Sequence, residues 1–150
     1  MSDTTNKPPI WYWIITVILL LWGLMGIWIF YDFIASTPET MAKYVADGAF
    51  SQAYADHLMT TPAWATAIFG LAVFTGALGA LCLVMRRPWS VPLYMLSLLF
   101  IVISHINTFA MAKAHKIMAG GQIGMEMVVL ALGLFALWFA LTAKRKNWLS

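Results

Sequence analysis

Four stretches of this sequence, residues 11–31, 64–85, 89–111 and 123–143, are each apolar over the roughly 20 residues that a helix needs to cross a hydrocarbon core of about 30 Å. With four such runs in 150 residues, little chain is left beyond the spans and their connections. The composition agrees: 62% of the residues are hydrophobic and 10% charged, with a mean hydropathy of +0.81, whereas a soluble domain is about 45–50% apolar and about 25% charged. The expected fold is all-α, an integral membrane four-helix bundle forming one domain, residues 1–150, with the lipid bilayer as its surroundings. The single Cys82 excludes a disulfide framework, and no internal repeat is detectable.

Lys and Arg set the orientation, because basic connections stay on the cytoplasmic side. In a four-span arrangement Lys7, Arg86, Arg87, Lys144, Arg145 and Lys146 fall on one side, and Lys43, Lys113 and Lys116 on the other. Both termini are therefore expected to be cytoplasmic. The net charge of +3 is spent at span ends rather than on a basic face, so no nucleic-acid partner is expected. Trp11, Tyr12, Trp13, Trp89 and Trp148 fit an inner aromatic belt, and Trp28, Tyr31 and Trp64 an outer one. The first span is too long for a signal-peptide core, and bulky Phe33 stands where cleavage needs a small residue, so the span is expected to be retained. The tail before it, Met1 to Lys7, is expected to be mobile.

The connections are unequal. Arg86-Arg87-Pro88 allows only a tight hairpin between spans two and three. The outer segment 32–61 carries helix signals of its own: Thr37 as N-cap, Pro38 at the first helical position and Glu39 in the first turn. After a break at Asp47-Gly48, the spacing of Phe50, Tyr54 and Leu58 predicts a second amphipathic helix, lying on the outer surface or acting as a lid. In the outer connection 112–122, Gly120-Gly121 is expected to supply the bend.

Small residues mark the faces on which helices approach closely in lipid. Ala72, Gly76 and Ala80 repeat at four in span two, with Gly79 beside them; Gly23 and Gly26 serve span one and Gly133 span four. These faces suit packing within the chain, and equally a homo-oligomer or docking to a larger membrane complex. Cys82, alone, is expected to be a packing residue.

Glu126 is the carboxylate well inside a predicted span, where a charge costs about 2.5–3.5 kcal/mol at the helix centre and so requires a partner or water. Counted from the span midpoints, His105 in span three lies about 8 Å and Glu126 about 10 Å toward the outer surface, at shared depth. Tyr94, Ser97, Ser104, His105 and Thr108 fall on one side of span three. Facing Glu126, with Asp32 near the mouth, this strip would line an outer cavity for a small neutral or protonatable solute. The competing reading places Glu126 at the interface, capping the fourth helix. No HExxH, CxxC, G-x-S-x-G or P-loop pattern occurs, and His57 and His115 fall in outer connections, unsuited to a bis-histidine haem. The chain is thus not expected to be an enzyme, and no catalytic residue, cofactor or metal is expected.

Thr61-Pro62-Ala63-Trp64-Ala65-Thr66-Ala67-Ile68-Phe69, then Gly76-Ala77-Leu78-Gly79 and Arg86-Arg87-Pro88-Trp89-Ser90-Val91-Pro92-Leu93, with the Lys7-Pro8-Pro9 entry to Trp11-Tyr12-Trp13, resembles a family of short four-span proteobacterial inner-membrane proteins. The resemblance runs over nearly the whole chain. That family commonly carries the label "sugar transporter", and the resemblance implies solute transport in the bacterial inner membrane. The alternative function is a non-transporting accessory, assembly or scaffold subunit of a larger complex.

The orientation is testable by labelling single cysteines in a Cys82→Ala background. An impermeant thiol reagent added to intact cells should label Ser51→Cys and leave Ser150→Cys untouched; the reverse pattern would invert the topology.

Overall fold

The computed structural model describes residues 6–150; Met1 to Thr5, part of the tail expected to be mobile, lie outside the described residues. The four apolar runs fold as helices α1 (Ile10–Ala35), α4 (Ala63–Val84), α5 (Ser90–His105) and α6 (Gly120–Arg145), with α2 (Pro38–Ala46) and α3 (Gln52–Met59) between the first two. A π-helical stretch, Ile106–Met111, prolongs α5, and a short 3-10 turn, Ala114–Lys116, follows. Counting that prolongation, the four long helices are apolar and long enough to cross a membrane.

Local sequence explains several helix ends. The Thr37 hydroxyl accepts from the Thr40 N–H at 3.3 Å and Pro38 opens α2; the Ser51 hydroxyl accepts from the Tyr54 N–H at 3.1 Å and opens α3. Between them Gly48 takes a φ of +74°, a conformation glycine adopts without steric cost. Two expectations are corrected. Nothing after Tyr31 breaks the helix until the extended Thr37 that precedes Pro38, so α1 runs to Ala35 and Asp32 lies in its last turn rather than in a loop. The Gly120-Gly121 pair is the first turn of α6, its start closed by Gln122, whose side-chain oxygen accepts from the Ala119 N–H at 2.8 Å. The bend sits instead at Lys113, in the left-handed region at φ +50°.

Among the long helices α4 packs against both α1 and α5, and α6 packs against α5 and, through Phe139, also meets α1. Small residues permit these approaches. A Cβ at Gly23 would stand 2.9 Å from the Ala77 Cα, one at Gly70 would stand 2.8 Å from the Phe30 ring, and one at Gly79 would stand 3.2 Å from the Tyr94 ring. Gly26 meets Val73, Gly76 meets Ser97 and Gly133 meets Ile101 and Leu98, while Ala72 and Ala80 are buried. The small-residue faces are thus filled by neighbours within the chain.

Toward the chain termini α1 and α6 meet through side chains. Tyr12 stacks on Phe139 with ring centroids 5.6 Å apart, and Trp11 meets Trp148 edge-on at 5.1 Å. Arg86, in the α4–α5 hairpin, donates from Nε to the Trp148 carbonyl at 2.7 Å, while the Ser150 N–H donates to the Arg86 carbonyl at 2.7 Å. The Asn6 N–H donates to the Asn147 carbonyl at 3.0 Å, so both ends of the described chain meet here. Tyr12, Trp148 and Leu149 are buried in the main apolar cluster, which corrects the assignment of Tyr12 and Trp148 to an aromatic belt: folding the C-terminal residues back under α4 takes them into the core. We refer to this as the termini end, and to the opposite one, which carries α2, α3 and the 3-10 turn, as the cap end.

Because the Gly23 contact is with backbone, it has no flexible side chain to absorb an added methyl. Gly23→Ala should lower unfolding stability in detergent by about 1–3 kcal/mol, whereas Gly124→Ala, with open space around its Cβ position, should leave it unchanged or raise it by about 0.5–1 kcal/mol. Equal effects at the two sites would contradict the packing described.

Candidate functional site

Two polar side chains on the long apolar helices meet near the cap end. His105 closes the regular part of α5, and Glu126 lies six residues beyond Gly120, the start of α6. At 1.5 Å per residue that is about 9 Å into the helix, beyond the first turn where a carboxylate could serve as a cap. The capping alternative is accordingly set aside. The His105 Nε2 lies 3.4 Å from Glu126 Oε2 and 2.9 Å from the Glu126 carbonyl, and Nδ1 lies 2.9 Å from the Ile101 carbonyl. Acceptors therefore face both ring nitrogens. A neutral imidazole has one N–H and serves one side, whereas an imidazolium donates to both. The side chain of His105 is 12% exposed and that of Glu126 33%, so the carboxylate is the less covered of the two.

The π-helical stretch begins immediately after His105, its wide turn marked by the Ala112 N–H donating to the Asn107 carbonyl at 2.8 Å. Such turns insert an extra residue into a helix and recur at functional sites. Phe109, on this stretch, sits with its ring centroid 5.8 Å from that of His105 and stacks on His115 at 6.5 Å.

The remaining candidates are dispersed. Ser97 does not join the pair: it is buried against α4, donating to the Ala72 carbonyl at 2.8 Å. Eight residues separate it from His105, a rotation of about 80° on the helix, enough to turn one toward α4 and the other toward α6. Ser104 and Thr108 are half-buried, and the π turn shifts Thr108 out of the phase that a regular helix would give it. Asp32 accepts from the Tyr44 hydroxyl at 3.2 Å and stands with α1 and α2. Its carboxylate holds the Tyr44 phenol above the usual range, mainly through charge and then through that hydrogen bond. The single polar strip with Asp32 at its mouth is thus corrected to a pair on α5 and α6, a packing serine on α4 and a separate carboxylate on α1.

Tyr54 is the site residue that the sequence did not single out. Its spacing with Phe50 and Leu58 put it on the apolar face of α3, but nothing local says what that face covers. In the fold, Ser51 donates to the Ile117 carbonyl at 2.8 Å and Gln122 to the Ala49 carbonyl at 3.3 Å, which ties the start of α3 to the beginning of α6. Tyr54 then lies within electrostatic reach of Glu126; burial and that carboxylate push its phenol up to about 12. An aromatic row, Tyr44 to Phe50 to Tyr54, each step 5.3 Å between centroids, runs from the Asp32 side to the Glu126 side of the cap. A cleft of about 340 Å³, bounded by Phe33, Met41, Leu58, Met59, Thr61 and Thr66, opens on the α1 and α4 side and does not include the pair.

No metal-binding group of three or more His, Cys, Asp or Glu occurs among the described residues. Compared with protein-family models, with curated proteins and with solved structures, the chain matches none.

The Tyr54 assignment yields a pH prediction. A phenol whose folded pKa lies above its unfolded value of about 10 favours folding while protonated; that contribution is complete below about pH 10 and is lost as pH rises through about 12. Thermal unfolding of the wild type should therefore fall more steeply between pH 10 and pH 12 than that of Tyr54→Phe. In Glu126→Gln, the phenolate absorbance assigned to Tyr54 by difference should appear at lower pH than in the wild type. An unmoved midpoint would separate α3 from the α6 carboxylate.

Proposed function

We propose that this chain is a multi-pass protein of the bacterial inner membrane, with both termini cytoplasmic, that binds a small neutral or protonatable solute at its outer, cap end through Glu126 and His105. The supporting observation is the contact itself. An ionisable pair placed inside membrane-crossing helices is costly and marks ligand or ion sites when it occurs; here the carboxylate is one-third exposed while the imidazole is nearly covered. Glu126 would accept a hydrogen bond from a solute hydroxyl or ammonium, with the His105 imidazole beside it. α3, tied to α6 at its first residues, is the element placed to cover a bound solute. The resemblance to a family labelled as sugar transporters accords with a solute-handling role. Four helices are few to enclose a transmembrane path, so transport as such would require several copies to assemble.

The alternative, an accessory subunit docking on a larger complex, draws on the small-residue faces. Those faces are already packed within the chain, so we carry forward the solute-binding reading.

Binding only to the folded state raises apparent stability, by about 2.7 kcal/mol at a ligand concentration a hundred times Kd. Thermal unfolding of purified protein should be measured against sugars, polyols, organic acids and amines. At least one class should stabilise the wild type, with the shift lost in Glu126→Gln. No shift with any class, together with unaltered stability of Glu126→Gln, would overturn the proposal.

A further inference from the structure

At the termini end the fold gathers basic residues that lie far apart in the sequence. The Asn6 N–H donates to the Asn147 carbonyl at 3.0 Å and its side-chain amide to the Lys146 carbonyl at 3.3 Å. Arg86 donates from Nη2 to the Asn6 carbonyl at 3.3 Å and from Nε to the Trp148 carbonyl at 2.7 Å. These bonds tie the start of the described chain, the α4–α5 hairpin and the end of α6 into one surface. Arg86 is the clamp of that surface, half-buried and in the left-handed region at φ +57°. The cations beside it are left outside: Lys7, Arg87, Lys144, Arg145 and Lys146 are all exposed. Lys146 is held over the buried Trp148 ring, its Nζ 5.1 Å from the centroid.

The protein supplies little to balance this charge. Among the described residues no Asp or Glu side chain is ion-paired with these cations, the recorded pair being His105 with Glu126. Asp32 stands in the last turn of α1, Glu39 and Asp47 in and just after α2, Asp56 in α3 and Glu126 in the second turn of α6, all toward the cap end. Helix ends do not compensate either, because α1 and α5 begin here while α4 and α6 finish here, and their opposite partial charges offset one another.

The surroundings say what kind of anion fits. Each of the four helices long and apolar enough to cross a membrane has one end at this level, so the cations stand just beyond the apolar segments, where a bilayer carries its phosphates. Large apolar side chains stand with them: Ile10 at the start of α1 is 79% exposed, and Trp89, next to Pro88 in the hairpin, is 69% exposed. Unpaired cations bordered by exposed apolar groups match a molecule that carries a phosphate and acyl chains together, whereas a free anion would use the cations alone. A headgroup with net negative charge suits them better than a zwitterionic one, whose own cation competes for the phosphate. We propose that the termini end is a binding surface for anionic phospholipid, with Lys7, Arg87 and the basic run 144–146 attracting the headgroup phosphate and Ile10 and Trp89 lying against the acyl chains.

Purified full-length protein in a neutral detergent should be titrated with dioctanoyl phosphatidylglycerol, dioctanoyl phosphatidylcholine or inorganic phosphate, and its thermal unfolding followed. Phosphatidylglycerol should raise the Tm at concentrations at least about tenfold below those at which phosphatidylcholine does, taking about fivefold in affinity per cation near the headgroup, and inorganic phosphate should have no effect at those concentrations. The phosphatidylglycerol shift should shrink as salt is raised from about 0.05 to about 0.5 M. The triple variant Arg87→Gln, Lys144→Gln, Arg145→Gln, which spares the clamp at Arg86, should need at least about tenfold more phosphatidylglycerol for the same shift. The matching triple variant Lys43→Gln, Lys113→Gln, Lys116→Gln at the cap end should behave as the wild type. Equal action of the two lipids, a shift indifferent to salt, an equal shift with inorganic phosphate, or equal losses in the two triple variants would overturn the proposal; the lipid and salt comparisons are made on the wild type and decide it even if a variant fails to fold.

Discussion

The arrangement depends on how closely α4 can approach its two neighbours. In lipid the hydrophobic effect does not distinguish one apolar helix from another, and association rests on contact and on shape. α4 meets this requirement on two sides. Gly70 admits the Phe30 ring and Ala77 fits beneath Gly23 on the α1 side, while Gly76 and Gly79 admit Ser97 and Tyr94 on the α5 side. The hairpin at Arg86 brings α5 back alongside α4, and α6 packs on α5 while its Phe139 also meets Trp11 and Tyr12 of α1. His105 then faces α6 and Ser97 faces α4, although both belong to one helix.

The termini end and the cap end are chemically different. At the termini end, aromatic rings and backbone hydrogen bonds join α1, the hairpin and the C-terminal residues, so that Trp148 and Leu149 behave as core. At the cap end the junction between α5 and α6 is polar, and its cover is a short amphipathic helix held by a few hydrogen bonds. Local opening is easiest where few apolar contacts would be lost, which assigns mobility to α3 and rigidity to the termini end.

Much of this was legible in the sequence because the signals are local. Span positions follow from length and hydropathy, the α2 start from Thr37-Pro38, and the tight hairpin from Arg86-Arg87-Pro88. The shared depth of His105 and Glu126 was also readable, since depth along antiparallel helices is simple arithmetic. What was not legible depends on rotation and on tertiary docking. The polar strip on α5 was read with a uniform helical period, but an 80° separation was enough to send Ser97 to another neighbour, and the π turn altered the phase at Thr108. Tyr54 was read as sharing a helix face with Phe50 and Leu58, but Phe50 precedes α3, and the approach of Tyr54 to Glu126 arises from a segment some 70 residues away folding back over the cap, which no periodicity encodes. Asp32 was misplaced for a simpler reason, because α1 continues one turn past the last apolar run.

The central claim is that His105 and Glu126 act together across the α5–α6 junction. A double-mutant cycle on unfolding stability near pH 6, using His105→Gln, Glu126→Gln and the double variant, isolates their interaction from the rest of the fold. Coupled neighbours give interaction energies of about 0.5–3 kcal/mol, and we expect a value of at least about 1 kcal/mol in favour of the pair. Additive losses, with no coupling beyond about 0.3–0.5 kcal/mol, would contradict the pairing on which the proposed site rests.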